Sequence, residues 1–361
     1  MAAVNGPRIA VVGAGIVGAS LTYHLAVRGA AVTLVEAGEP AAGVTARAFS
    51  WINIAHGDPT SYQTLRQAAI GDWHRLETEL RGAVSVNWTG ALNWAADLSE
   101  TERLVAHHVA AGYDVRLVTA SEIAALEPGL IALPRVAAYA PGEGSVDPVL
   151  ATRAFCAAAR EAGADLRLGQ RVTGLVDFAG RVAGLTLQEG KIDADLVVLA
   201  AGLGSVDLAR CVGLTLPLRA SPATLIRMRL AGPLVRGIVC SPDFEIRQAG
   251  DRMMLSAADY VDETPQNGPM AIGRRVANAV RVGLRGAQDI ALIDAMPGWR
   301  PMPQDGAPIV GFTPQIDGLY LAAMHAGIIL APVVGRLAAA EILDGRSEGA
   351  LQPCRLERFR L

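Results

Sequence analysis

Residues 8–18 read Arg8-Ile-Ala-Val-Val-Gly-Ala-Gly-Ile-Val-Gly18, and Glu36 follows 18 positions after the last of these glycines. Four consecutive apolar residues, Ile9 to Val12, suit a strand buried on both faces, as in the middle of a parallel sheet. The glycines come directly after that strand and open a helix. They permit the tight turn, let backbone N–H groups approach a pyrophosphate and allow close helix–sheet packing, while the helix start stabilises phosphate charge. Glu36 stands at the end of the second strand, where a carboxylate accepts hydrogen bonds from ribose hydroxyls. A bare glycine triplet also occurs in unrelated α/β proteins; strand, helix and carboxylate in register point to one βαβ unit that binds a dinucleotide. The motif alone does not choose between NAD and FAD.

Further along, a helical stretch spans residues 62–80. Strand-like residues 84–88 and a helical pattern at 98–111 follow, and a helix is expected over 148–162. Residues 166–187 read as short strands around turns at Gly174 and Gly180. The run Asp195-Leu-Val-Val-Leu-Ala-Ala-Gly-Leu-Gly-Ser205 is a buried strand entering a glycine-bearing turn, a second return to the parallel sheet. Residues 216–294 shift toward strands and loops, and the chain closes with a strand at 319–323 and a helix at 327–343. The fold class expected is α/β, α+β overall: a Rossmann-like cofactor domain formed by residues 1–81, 141–215 and 295–361. A second, mainly β-sheet substrate domain, residues 82–140 and 216–294, is inserted in it.

The chain has 361 residues, 51% of them hydrophobic, enough to bury a large core in about two domains. Its net charge is -3 and its pI about 6.1, which leaves no excess of positive charge for phosphate backbones and argues against a nucleic-acid partner. Cys156, Cys211, Cys240 and Cys354 are scattered, so neither a zinc site nor a disulfide framework is expected, and a reducing, cytoplasmic setting fits. The apolar run at residues 9–12 follows no basic region and is broken by glycines, so it does not read as a signal peptide. No stretch reaches about 18 uninterrupted apolar residues, so no transmembrane segment is expected. Neither a Gly-x-Ser-x-Gly elbow nor a His-Glu-x-x-His pattern occurs, and hydrolase chemistry finds no support.

Three further segments carry a resemblance. Gly43-Val-Thr-Ala-Arg-Ala-Phe-Ser-Trp-Ile-Asn53 is similar to the segment that wraps the FAD diphosphate and flavin in D-amino-acid oxidase and glycine oxidase relatives. Trp299-Arg-Pro-Met-Pro-Gln-Asp-Gly-Ala-Pro-Ile-Val-Gly311 is similar to that family's Arg-Pro-x-x-x-Asp-Gly-x-Pro-x-x-Gly element. Gly318-Leu-Tyr-Leu-Ala-Ala-Met-His-Ala-Gly-Ile-Ile-Leu-Ala-Pro332 is similar to its last flavin-binding strand and helix start. Together with the N-terminal motif they occur in the order of the D-amino-acid oxidase, glycine oxidase and sarcosine oxidase (DAO) family. Two departures stand out: Ala46 replaces the commoner serine, and Ala323-Met-His-Ala326 replaces a Gly-His-Gly type run.

The resemblance implies FAD as cofactor. The dinucleotide end would be held by Gly13, Gly15, Ile16, Val17, Gly18, Glu36 and Ala37. It places Val44, Thr45 and Ala46 along the phosphates or ribitol, and Phe49, Ser50 and Trp51 near the flavin ring. Val172 matches a position contacting adenine, with Ala201 and Gly202 as weaker support. Gly327, Ile328 and Ile329 begin a helix whose free N–H groups would face the flavin edge that gains negative charge on reduction. No cysteine lies near residues 324–327 and no histidine between residues 45 and 51, so the FAD is expected to be non-covalent.

Two residues are the catalytic candidates. Arg300 matches the family's substrate-carboxylate arginine, and a planar guanidinium can hold both carboxylate oxygens; the alternative is a structural partner of Asp305 or of a backbone carbonyl. His325 falls where relatives place a histidine near the flavin, as a proton acceptor or flavin-edge contact; the alternative is a structural donor near Met324. His56, Asn53 and Tyr260 could reach a substrate but read first as turn or surface residues. His107 and His108 are adjacent on a helix and face different ways, so they are no metal pair.

The reading implied is oxidation of a C–N bond in a small amine or amino acid by hydride transfer to flavin N5, giving an imine, with oxygen or another acceptor reoxidising the flavin. Two alternatives stay open: FAD-dependent oxidation of a 2-hydroxy acid or other alcohol, for which Arg247, Arg252, Arg274, Arg275, Arg281 and Arg285 offer basic residues, and a non-catalytic electron-transfer subunit.

Overall fold

The computed structural model describes residues 6–54 and 60–359. The strand Arg8–Val12 lies inside a six-stranded sheet, between Leu196–Leu199 and Ala31–Val35, parallel to both. The order continues through Leu319–Ala323 to Ile309–Phe312 on one side and ends at Asp165–Arg167 on the other; only the Ile309–Phe312 strand runs antiparallel. Burial on both faces explains why Arg8–Val12, Leu196–Leu199 and Leu319–Ala323 are continuous apolar runs rather than alternating ones.

Helices Ile16–Ala26 and Gly327–Asp344 pack against each other beside this sheet. Gly335 makes the approach possible, because a Cβ there would run into Ser20 Oγ and lie 2.8 Å from His24 Nδ1. Gly345, in the left-handed region at φ 66°, ends the second helix.

A second sheet has eight strands. Its order is Ala291–Pro303, Leu218–Arg229, Met253–Asp259, Glu245–Gln248, Ile238–Cys240, Ala91–Asn93, Val136–Ala140 and Arg116–Thr119. All neighbours are antiparallel except Ile238–Cys240 against Ala91–Asn93. Helix Pro269–Gly283 covers one face, burying Ile226, Met228, Ile272 and Val280 in a common core. The opposite face carries Glu245, Ala257 and Leu225 in one register row, with Ser221 opposite Arg300 four positions along.

The structure corrects several expectations. Residues 216–294 contain the helix Pro269–Gly283, not only strands and loops. Its apolar stripe is interrupted by the glycines Gly273 and Gly283 and flanked by arginines, which hid the period; Gly273 is required because a Cβ would sit 3.0 Å from Ala295 Cβ. The short helix Ala120–Leu126 was also overlooked, although Thr119 and Glu122 form a reciprocal capping box. Gly174 lies within the strand Val172–Phe178, and the turn falls at Ala179 and Gly180, both with positive φ. The strand Ala291–Pro303 continues past residue 294, where the sequence reading ends the second insert, so Arg300 belongs to the larger sheet.

Candidate active site

A cavity of about 680 Å³ runs between the ends of the parallel strands and the open face of the eight-stranded sheet. At one end stands the glycine turn. Gly13 has φ 101°, and a Cβ on it would sit 2.8 Å from the Ala200 oxygen, so the turn tolerates no side chain. Glu36 is already engaged there: Oε2 accepts from the Ala14 N–H at 2.7 Å and Oε1 from the Gly38 N–H at 2.9 Å. Each oxygen retains acceptor capacity for a ribose hydroxyl. The Ile16 N–H donates to Thr45 Oγ1 at 3.3 Å, tying the helix start to the segment that follows the acidic strand.

Gly13, Gly15, Ile16, Val17, Glu36 and Ala37 line the cavity, as do Val44, Thr45 and Val172, and Ala201 and Gly202. Gly18 and Ala46 do not. Gly18 is instead packed onto the Gly13 carbonyl, where a Cβ has no room. The Ala46 carbonyl accepts from Arg227 Nη2 at 3.2 Å, across to the larger sheet.

At the other end Phe49, Ser50 and Trp51 form one wall and His325, Gly327, Ile328 and Ile329 another. Ser50 adopts φ 63°, a left-handed backbone that a non-glycine residue occupies at a cost and that is enriched at functional sites. Two buried groups hold this wall. Glu143 accepts from Trp51 Nε1 at 2.8 Å and from the Ile54 N–H at 2.7 Å, and Arg247 Nε donates to the Phe49 carbonyl at 2.6 Å. Arg247 is therefore a buried structural residue, and Arg252, Arg274, Arg275, Arg281 and Arg285 do not line the cavity either.

Arg300 reaches the cavity from the larger sheet. Its Nε donates to the Ser221 carbonyl at 2.8 Å and its Nη2 to Ser221 Oγ at 2.9 Å, which fixes the guanidinium, while Nη1 has no partner among the described residues. Asp305 is not its partner: that carboxylate accepts from Arg358. Burial lowers the Arg300 pKa, opposed by Asp259 and Glu245. His325 makes no hydrogen bond among the described residues; burial first, then Arg300 and Arg66, depress it to about 4, so the imidazole is neutral near pH 7.

The structure brings three more residues into this end with Arg300 and His325: Asn53, which the sequence reading took first as a turn or surface residue, and Arg66 and Glu245, which it did not single out. Asn53 lines the cavity and accepts from Arg66 Nη1 at 2.9 Å. Arg66, only 5% exposed, and Glu245 line it as well. The signal for Glu245 was the alternation Phe244, Glu245, Ile246, Arg247, which sets two charges on one face of a strand. Tyr260 lies elsewhere, donating to Glu263 Oε1 at 2.9 Å; His56 lies outside the described residues. Among the described residues no cluster of metal-ligating side chains occurs and no helix is long and apolar enough to cross a membrane.

A sequence profile of the family described as FAD dependent oxidoreductase, DAO, matches residues 8–341. The chain belongs to this family. The glycine oxidase of Pseudomonas aeruginosa is 29% identical over 365 residues, covering 94% of this chain and 95% of that protein. The crystal structure of L-proline dehydrogenase from P. horikoshii aligns with TM-score 0.87 at 22% identity, covering 98% of each chain. That of iminodiacetate oxidase from a Chelativorans species aligns with TM-score 0.84 at 25% identity over 96% of this chain and 98% of its own. This oxidoreductase is thus an FAD-dependent enzyme of the amine and amino-acid oxidase or dehydrogenase class. Its cavity fits the cofactor: the Gly13 turn leaves no side chain where a pyrophosphate would approach the backbone, the Glu36 carboxylate lines the cavity next to that turn, and the remaining length ends at Trp51 and Gly327.

Proposed function

We propose that this oxidoreductase oxidises the C–N bond of a small amino acid or other carboxylate-bearing amine, giving an imine that hydrolyses. When bound, FAD supplies the hydride acceptor at flavin N5. The observation that carries the reading is Arg300: a guanidinium fixed by Ser221, lining the same cavity as His325, with Nη1 unbonded among the described residues. Such a group binds a carboxylate and so orients the carbon next to it. The relatives named above, a glycine oxidase, an iminodiacetate oxidase and an L-proline dehydrogenase, carry names of amines that bear a carboxylate.

On this reading Gly13, Gly15, Glu36, Thr45 and the helix start at Ile16 hold the dinucleotide end. Phe49, Ser50, Trp51 and residues 327–329 bound the flavin end, and Val172, Ala201 and Gly202 the adenine side. His325, neutral at pH 7, acts as a hydrogen-bonding group that orients substrate rather than as a strong base. FAD is held without a covalent bond: of the cysteines, Cys211 lines the cavity, and it follows the helix Gly204–Arg210 as its C-cap rather than lying on the Met324 loop. The cofactor half is made by residues 1–81 and 141–215 with the C-terminal segment, and the substrate half by the larger sheet and its helix.

The test is a primary isotope effect. Anaerobic reduction of the FAD-loaded protein by an amino acid deuterated at the carbon next to nitrogen should slow several-fold, and Arg300→Met should raise the substrate concentration needed by about tenfold to 150-fold, the worth of a hydrogen bond to a charged group. Reduction by 2-hydroxy acids alone would move the assignment to alcohol oxidation, and no reduction by either class would favour the electron-transfer subunit.

A further inference from the structure

The substrate end of the cavity carries more charge than one zwitterion requires. Arg300 accounts for a carboxylate. Arg66 is a second guanidinium in the same wall, on the first turn of helix Gln63–Glu79 and only 5% exposed. Its Nε donates to Tyr62 Oη at 3.3 Å and its Nη1 to Asn53 Oδ1 at 2.9 Å, while Nη2 has no partner and the group has no acidic partner among the described residues. A buried cation held only by neutral acceptors is a poor structural device, because desolvation is left uncompensated. It is a good anion receptor, since the donors are preoriented and no carboxylate among the described residues competes.

Glu245 has the opposite sign and the same lack of partners. It extends from the open face of the larger sheet, three strands along from Arg300, and neither of its carboxylate oxygens is hydrogen-bonded among the described residues. Three strand spacings and an offset of four residues along the strands put the two backbones about 20 Å apart, so the two side chains reach into the cavity from separate places on the sheet. Arg66, Arg300, Glu245 and His325 all line this one cavity.

Among the described residues, Arg300 and Arg66 give that end of the cavity two guanidinium groups, and Glu245 gives it a carboxyl that a bound ammonium would hold ionised, beside a neutral imidazole. Its complement is a molecule with two carboxylates and one ammonium. We propose that the site is built for an amino dicarboxylate, with Arg300 holding one carboxylate, Arg66 the other and Glu245 the ammonium. This rests on the amine-oxidising reading above and names its substrate class. The second carboxylate can be attached through the carbon skeleton, as in aspartate or glutamate, or through nitrogen, as in an N-carboxymethyl amino acid; both present the same three charges.

The experiment uses the FAD-loaded protein. Anaerobic flavin reduction is measured with aspartate, glutamate and iminodiacetate against alanine, glycine and N-methylglycine. In parallel, perturbation of the flavin spectrum is titrated with iminodiacetate, succinate and acetate, which requires no turnover. At least one dicarboxylate arm should exceed the monocarboxylates by about tenfold or more in reduction efficiency, and succinate should bind at least about tenfold tighter than acetate. Arg66→Met should bring both ratios close to one, and Glu245→Gln should narrow the advantage of iminodiacetate over succinate; Arg66→Lys should restore part of the first preference. Ratios near one in the parent, or a preference unchanged by Arg66→Met, overturn the proposal. A protein that no amine reduces refutes the amine-oxidising reading, while the succinate and acetate titrations still decide whether the dicarboxylate receptor exists.

Discussion

Glu36→Gln isolates the ribose end of the cofactor from the rest. In the structure both carboxylate oxygens accept a backbone N–H, from Ala14 at 2.7 Å and Gly38 at 2.9 Å. Glutamine has almost the same shape but one oxygen in place of two, so its NH₂ must face one of those N–H groups or turn into the cavity. Either way a charge-assisted acceptor is lost where the proposed site would hold the adenosine ribose, and such a bond contributes about 1.5–3 kcal/mol. FAD affinity should therefore fall between about tenfold and 150-fold. The assay is reconstitution of apoprotein followed by quenching of flavin fluorescence, with FAD and FMN in separate titrations. FMN lacks the adenosine, so its affinity should change by less than about threefold. Thermal unfolding of the apoprotein records the intramolecular share of the loss. An FAD affinity within about threefold of the parent, or an equal loss for FMN, would refute the placement of the ribose at Glu36.

Glu341 is 4% exposed and accepts from Tyr320 Oη at 2.7 Å and from Arg355 Nη1 at 3.0 Å, with a second contact to Arg355 Nη2. Glu341→Ala leaves Arg355 largely buried without a counter-charge and should cost about 3–5 kcal/mol, read as a lower midpoint in urea unfolding. Gly335→Ala puts a methyl against Ser20 and His24 at the crossing of two helices and should cost about 1–3 kcal/mol by the same assay, with FAD affinity lowered only through stability. Burial, with Asp259 adding and Arg300 opposing, pushes Glu245 up to about 7 from 4.5. A carboxyl whose pKa is raised by folding contributes its stability fully below the unfolded value and loses it as pH climbs toward 7. The apoprotein should lose up to about 3 kcal/mol between pH 4.5 and 8 from this group, and Glu245→Gln should flatten that slope. An unchanged pH profile of urea unfolding in Glu245→Gln would contradict it.

Local sequence carried much of the parallel sheet because its signals are contiguous: an apolar run, a glycine turn and an acidic strand end all fall within residues 8–36. The Arg300 and His325 segments were legible for the same reason, each lying in a short motif. Arg66 and Glu245 were not, because what makes them site residues is non-local. Arg66 matters only once helix Gln63–Glu79 is laid beside the Met324 loop, and Glu245 only once Glu245 pairs with Ala257 and Ala257 with Leu225. The reach of Arg300 depends likewise on its pairing with Ser221, 79 residues earlier. The helix Pro269–Gly283 escaped notice because its glycines, which weaken a helix signal, are there to let the sheet and Phe244 approach. Ala46 and Gly18 show the converse: each belongs to a recognisable motif, yet one serves Arg227 and the other the packing of the glycine turn.

The most direct test of the account is the colour of the protein itself. Purified from cells and freed of unbound flavin, it should show the oxidised flavin spectrum, release FAD on denaturation, and bleach under anaerobic conditions when a carboxylate-bearing amine is added. A colourless protein that takes up no FAD, or a yellow one that no amine bleaches, would contradict it.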